Sequence, residues 1–461
     1  MIGWLLNLVY LGLLVLVSPV LAYRAVRQGK YRHGLAEKLF GRGVHRVATG
    51  RCVWLHAVSV GEVLLLKPVI EELRRQSGVE IWLSTTTQTG HAVAREKYPE
   101  CQVLYFPVDF TWSVRAALER VRPDVIGLVE LELWPNFIRA AAGRGIPLVL
   151  INGRIGERSF RGYRLVRFLM RRVIGRLSAI GMQTPEYAQR IIELGAPRER
   201  VTVTGSVKFD GVRLEQDATR LAALRAELEI ASHERVLLAG STHAPEERVV
   251  LDCYAELQRE FPELRLLIAP RHQERFDEVA ALITAAGWPL GRRSQRKATS
   301  IDHREARRQP RSSDTCPEVI LLDTLGELSD CWGLAEIAFV GGSLSQRGGQ
   351  NMLEPCAAGA AVVVGPNTWN FRHAVELLVD AGGLVTVSDA DELPRALRRL
   401  LSDASAADTL RSAARDAIKS QQGATRQTVA MLLDALRESG ANSTSRSVAD
   451  QTYERNVRTA A

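Results

Sequence analysis

The sequence predicts an α/β protein made of two Rossmann-like halves that face a central cleft, each with a largely parallel sheet. Three observations carry this. Short runs rich in Val, Ile and Leu recur along the chain, as strands covered on both faces read. Amphipathic stretches such as Leu64–Arg75 and Arg161–Leu177 fall between them. The alternation breaks at a polar stretch, Asp210–Glu234, and then begins again. Ligands of open parallel sheets sit outside the strands' carboxyl ends, so both halves are expected to offer loops to the cleft.

The first 23 residues, Met1–Tyr23, carry no charge. As a helix they would span about 34 Å, enough for a bilayer core. Eight basic residues follow between Arg24 and Arg51, with Glu37 the lone acid among them. That flank predicts a retained membrane anchor with everything after it on the cytoplasmic side. A cleaved signal peptide would normally carry a basic segment ahead of its apolar core. Insertion into one leaflet is the other way such a segment can be held.

Strands are expected in the first half at Cys52–Val58, Glu80–Thr86, Val103–Phe106, Val125–Glu130, Leu148–Asn152, Ala179–Gln183 and Val201–Thr204. In the second half they are expected at Val236–Ala239, Leu264–Ala269, Val319–Leu322, Ile337–Val340, Ala361–Val364 and Leu384–Val387. The boundaries that follow are an anchor over 1–23, a basic juxtamembrane segment over 24–50 and a first Rossmann-like domain over 51–210. An interdomain region over 211–234, a second Rossmann-like domain over 235–438 and a flexible tail over 439–461 complete the chain. The basic stretch Gly291–Cys316 shows no apolar period and reads as a solvated insertion.

Composition narrows the function. With 461 residues, 46% apolar and 24% charged, the chain is neither disordered, collagen-like nor a polytopic membrane protein. Its net charge of +8 suits anionic partners such as a membrane surface. Aromatic residues make up only 6% of the chain, so nucleic acid is the weaker reading of that charge. The six cysteines form no C-x-x-C pair and suit a reducing compartment.

Candidate chemistry gathers at strand ends. Within His56-Ala57-Val58-Ser59-Val60-Gly61-Glu62 a strand runs into a turn and Glu62 opens a helix. A carboxylate so placed can act as a general base, and equally it can complement the helix dipole. His56 lies in the apolar strand and reads as a core or orienting residue. The run Ser84 to Gly90 can hold a polar ligand, although capping accounts for any single Thr. Glu130 and Glu132 share one side if their strand continues. In the second half, Gly240-Ser241-Thr242-His243, Pro270-Arg271-His272 and the glycine turns before Glu354 suggest a nucleotide pocket. No Walker-type loop occurs and no clear Asp-x-Asp metal clamp stands among these strand-end motifs, so no metal or cofactor is expected.

Taken in order, these motifs resemble the 3-deoxy-D-manno-octulosonic acid (Kdo) transferases of lipopolysaccharide synthesis, glycosyltransferase family 30. The resemblance also rests on Tyr105-Phe106-Pro107, Gly205 to Asp210, Glu246-Glu247, Glu274-Arg275-Phe276 and Asn351 to Pro355, and runs to about Arg426. It implies a GT-B fold, a CMP-Kdo donor, a lipid A precursor as acceptor and an inverting, metal-independent displacement at the cytoplasmic face of the inner membrane. It also implies that Glu62 is the proton acceptor and that Glu132 and Lys208 stabilise the transition state. By the same resemblance Pro270, Arg271, Leu325, Gly326, Glu327, Asn351, Met352, Leu353 and Glu354 contact CMP. Ser206, Pro245, Gln350 and Met352 depart from the family's usual residues. The same architecture also serves UDP-sugar transferases and sugar-nucleotide epimerases. A membrane-anchored protein that only binds anionic lipid is the non-enzymatic alternative.

Overall fold

The computed structural model describes residues 2–28, 34–41, 43, 45–47, 50–76, 78–299 and 319–439. It divides into two compact units, one formed by Met1–Gly211 with Gln422–Ala461 and the other by Val212–Gln421.

The first unit holds a parallel sheet of β1 (Cys52–His56), β2 (Glu80–Thr85), β3 (Gln102–Tyr105), β4 (Val125–Val129), β5 (Leu148–Gly153), β6 (Ala179–Met182) and β7 (Val201–Val203). Their order is β3-β2-β1-β4-β5-β6-β7. Both faces are covered, and the strand period of two decides which side chain goes where. On β1, Cys52 and Trp54 enter one core with Phe106, Phe137 and Leu150. Val53 and Leu55 enter the other with Ile70, Leu83 and Leu432. The chain order reverses between β1 and β4, so the crevice at their carboxyl ends is the expected ligand position.

The second unit repeats the plan. Its strands are β8 (Arg235–Thr242), β9 (Leu264–Pro270), β10 (Leu290–Arg292), β11 (Val319–Leu321), β12 (Ile337–Val340), β13 (Ala361–Val364) and β14 (Val385–Thr386). They are ordered β10-β11-β9-β8-β12-β13-β14, and the reversal lies between β8 and β12.

Several expectations are corrected. The stretch from Gly291 is not wholly irregular: β10 pairs with β11 in parallel and a helix, Arg293–Thr299, follows. Arg293 is buried against Glu327 and Glu227, which a solvated insertion would not allow. Residues 300–318 of that stretch lie outside the described residues, as do residues 440–461 of the expected tail. The helix over 424–439 is not part of the second half. Val429, Leu432, Ala435 and Leu436 are buried in the first unit's core. Apolar periodicity identifies such a helix but not which sheet it covers.

The N-terminal flank also differs. A helix runs over Ile2–Gln28, and no helix among the described residues is long and apolar enough to cross a membrane. Asn7 of this helix donates to Thr111 Oγ1 at 2.7 Å, and the Tyr10 hydroxyl donates to Asp109 Oδ2 at 3.0 Å. Two flank cations counted as membrane-facing are structural. Arg46 is 7% exposed and pairs with Glu80 at 2.7 Å. Lys38 donates to the Thr86 carbonyl at 2.8 Å and lies over the Tyr105 ring. The five described cysteines, Cys52, Cys101, Cys253, Cys331 and Cys356, are buried free thiols.

Candidate active site

In the first unit the site grows from the end of β1. Ser59 caps the helix Val60–Leu65, its Oγ accepting from the Glu62 amide. The Glu62 carboxylate reaches back: Oε1 accepts from the Ser59 hydroxyl at 2.7 Å and Oε2 from the Val58 amide at 2.8 Å. The Ser-x-x-Glu spacing is that of a capping box, with the carboxylate taking the Val58 amide and the Ser59 hydroxyl in place of the Ser59 amide. It gives Glu62 a structural task and at the same time holds the half-exposed carboxylate in one orientation at the β1–β4 switch point.

The adjacent strand β4 stops at Val129, so the pair Glu130 and Glu132 does not continue it. Glu130 has φ +58°, a left-handed conformation that a non-glycine residue rarely adopts and that recurs at functional strand ends. Glu130 was not singled out for a role by the sequence, yet its carboxyl interacts with Glu62 and with the cations Lys208 and Arg154. Burial raises its pKa, the Glu62 charge raises it further, and Lys208 and Arg154 act in the opposite direction. Burial, Glu62 and Glu130 likewise raise Glu132, while the Trp134 indole, donating to Glu132 Oε2 at 2.8 Å, holds it down. Lys208 is lowered by burial and raised by Glu130 and Glu62. Three carboxylates and two cations from the ends of β1, β4, β5 and β7 therefore share one field.

Lys208 is placed by a residue the sequence reading did not notice. Asn152, buried at the end of β5 with φ +52°, accepts from the Val207 amide through Oδ1 at 3.1 Å. That contact fixes the short helix Val207–Asp210. A left-handed Asn after a strand was the available signal.

His56 is wholly buried and stacks on Phe106 with ring centroids 3.6 Å apart. Its Nδ1 lies 3.2 Å from the Ser84 carbonyl, and Nε2 is 4.0 Å from Glu132 Oε2. Burial holds its pKa down to about 3 against an ordinary 6.5, so the ring is neutral. The unfolded chain therefore binds the proton first on acidification, and the contribution of His56 to stability is present above pH 6.5 and lost toward pH 3. Between pH 7 and pH 5, His56→Gln should gain about 2 kcal/mol relative to the parent. Parallel urea unfolding curves check this, and equal pH slopes would place the histidine in contact with solvent.

The Thr run behaves as a cap: Thr87 Oγ1 accepts from the Gly90 amide at 3.0 Å at the start of the helix Gln88–Lys97.

In the second unit a buried acid organises the glycine turn. Glu246 has no exposed surface. Its Oε2 accepts from the amides of His243 at 2.9 Å and Gly342 at 2.7 Å, and its Oε1 from those of Leu344 at 3.0 Å and Ser345 at 3.1 Å. The ends of β8 and β12 are thus tied together at their switch point. They approach so closely that a Cβ on Gly341 would sit 2.4 Å from Thr242 Cα.

Arg271 extends from the end of β9, exposed, with its amide donating to the Thr242 carbonyl at 3.0 Å. Glu354 opens the helix Leu353–Ala358 and accepts from Asn351 Nδ2 at 2.9 Å. Burial raises its pKa, and Asn351, Arg271 and Trp332 counter that rise. Arg271, Asn351 and Glu354 are thus gathered beside the organised turn. The other expected contacts differ in what they can offer a ligand. Pro270, Met352 and Leu353 are buried, which leaves only their backbones for a ligand. Glu327 faces Arg293 at 3.3 Å and Arg220 at 3.8 Å, while Leu325 is exposed and Gly326 turns the loop at φ +83°. Among the described residues no group of three His, Cys, Asp or Glu side chains is arranged to hold a metal ion.

Comparison with known proteins gives the chain a family. Residues 29–211 match the family described as 3-deoxy-D-manno-octulosonic-acid transferase (kdotransferase). A 3-deoxy-D-manno-octulosonic acid transferase of Bordetella pertussis is 33% identical over 438 residues, covering 93% of this chain and 97% of that protein. One from Haemophilus influenzae is 30% identical over 436 residues, with 93% and 97% covered. A glycosyltransferase crystal structure from Rickettsia africae superposes with a TM-score of 0.55 at 12% identity, over 85% of this chain and 99% of that one. The likeness extends to the fold of two parallel-sheet α/β domains seen in GT-B glycosyltransferases.

Proposed function

This chain belongs to the 3-deoxy-D-manno-octulosonic acid transferase family and is a glycosyltransferase that moves Kdo in lipopolysaccharide synthesis, and from that premise we propose its donor, acceptor and chemistry. The donor is CMP-Kdo and the acceptor is a hydroxyl of a lipid A precursor. Glu62 takes the acceptor proton as the hydroxyl oxygen bonds to the anomeric carbon. The bond from that carbon to the CMP phosphate oxygen breaks, and CMP leaves with the electron pair, so the configuration inverts. The carboxylate, already fixed by Val58 and Ser59, needs no reorganisation to receive the proton.

The Glu62 carboxylate held by the Val58 amide and the Ser59 hydroxyl at the β1–β4 switch point, beside Glu130, Glu132 and Lys208, is the observation that carries this reading. Lys208 supplies positive charge where an acceptor oxygen and a sugar carboxylate approach, a task that requires no metal ion. In the second unit, Arg271, exposed at the end of β9, meets the phosphate, and Glu354 accepts from ribose hydroxyls, while the amides of the glycine turn that Glu246 engages serve to shape the turn. The helix Ile2–Gln28 exposes Trp4, Leu5, Leu8, Val15 and Leu16. This face, with the basic residues that follow, attaches the enzyme to the cytoplasmic side of the inner membrane.

One experiment tests the reading. The full chain in detergent is mixed with lipid A precursor and either CMP-Kdo or a UDP-sugar, and the lipid product is weighed by mass spectrometry. The mass of one or more Kdo units should appear with CMP-Kdo alone. Transfer only from UDP-sugars, or no product from either, would refute it.

A further inference from the structure

We propose that the groove between the helix Ile2–Gln28 and the loop Val108–Phe110 receives an acyl chain of the acceptor. This rests on the lipid acceptor proposed above. The groove has a volume of about 290 Å³, and Leu14, Val17, Val108, Phe110 and Trp134 form its apolar walls. Only two further side chains, Tyr10 and Asp109, bring polar atoms to it.

Those polar atoms are already engaged. The Tyr10 hydroxyl donates to Asp109 Oδ2 at 3.0 Å. The same oxygen accepts from the Asn136 amide at 3.0 Å, and Oδ1 accepts from the Phe137 amide at 2.8 Å. Asp109 thereby satisfies the first turn of the helix Pro135–Gly143. The Trp134 indole nitrogen donates away to Glu132. An open groove whose polar groups are all satisfied has nothing to offer a sugar or a nucleotide, and it suits an alkyl chain.

Position selects the acceptor's own chain over bulk lipid. Trp134 is a wall of the groove, and the same indole holds Glu132, one of the carboxylates that share a field with Glu62. A chain lying in the groove ends beside the groups that receive the acceptor hydroxyl. The outer wall is fixed in place: Asn7 bridges Thr111 and Asn136, and Tyr10 meets Phe110 edge-on. Beyond the groove Leu8, Val15 and Leu16 continue an exposed apolar surface toward which the rest of the lipid can extend.

The test fills the groove. The full-length parent, Val17→Phe and Val108→Phe are assayed with CMP-Kdo in one detergent. Each is given the acylated precursor and the same disaccharide phosphate stripped of its acyl chains. The parent should prefer the acylated acceptor, and each variant should reduce that preference, as a ratio of kcat/KM, by tenfold or more through KM. An unchanged ratio in both variants overturns the proposal. So does a ratio left unchanged while binding to acceptor-free phospholipid vesicles falls, which would give the groove to bulk lipid. A binding measurement separates this from the assignment of activity. Precursor carrying brominated acyl chains should quench fluorescence in the parent, and less in Val17→Phe, Val108→Phe and Trp134→Phe. Equal quenching in all four proteins overturns the groove, whether or not Kdo is transferred. Absence of transfer with intact, groove-dependent quenching overturns the reaction assignment alone.

Discussion

Glu62→Gln should lose roughly 10²–10⁴-fold in kcat for Kdo transfer while keeping its fold and its affinity for CMP. The substitution keeps shape and removes only the capacity to accept a proton. Ser59 still caps the helix Val60–Leu65, because its Oγ accepts from the residue 62 amide whatever the side chain there. One glutamine oxygen can replace one of the two contacts to Val58 and Ser59, so the structural penalty stays near that of a weakened cap, about 1 kcal/mol. Steady-state kinetics, a thermal unfolding curve and CMP titration of the same preparation check it together. A variant with near-normal turnover would reduce Glu62 to the capping role that its hydrogen bonds already describe, and would make Glu130 the next candidate base.

Glu246→Ala should destabilise the second unit by roughly 4 kcal/mol or more and abolish CMP binding. Four backbone amides, those of His243, Gly342, Leu344 and Ser345, lose their acceptor at once around a side chain that has no exposed surface. Glu246→Gln should not rescue it. The amide nitrogen would face two of the same donors and leave them both unsatisfied and opposed. Calorimetry with CMP and urea unfolding of both variants measure the effect. Retained CMP affinity in Glu246→Ala would show that the glycine turn keeps its shape by its own conformational preference.

The sheets were legible because their strands are buried on both faces and so read as short apolar runs. Thirteen of them fell within a few residues of their expected ends, from Cys52–His56 to Val385–Thr386. The strand Leu290–Arg292 was missed because Leu290 is its one aliphatic residue and it closes on Arg292 with Arg293 next. At the site, Glu62 and the Arg271–Glu354 group were visible as motifs at strand ends. What the sequence did not reveal were long-range contacts. Asn152 holding Val207, Asp109 capping Pro135–Gly143, and Glu246 spanning two strand ends all join residues that no local pattern relates. Arg293 looked solvated for the same reason: its partners Glu227 and Glu327 are distant in sequence.

The return of residues 424–439 to the first unit sets an order of events during synthesis. The second unit, Val212–Gln421, is continuous and has all its residues as soon as they leave the ribosome. The first unit does not: when Gly211 emerges, the positions that Val429, Leu432, Ala435 and Leu436 will fill beside Leu55 and Ile70 are still open. At translation speeds of about 5–20 residues per second that exposure lasts roughly 10–40 s. The half that begins the chain is thus the last to be completed, and a stop codon just after Gln421 would remove a core element of the first unit while sparing all fourteen strands of the described residues.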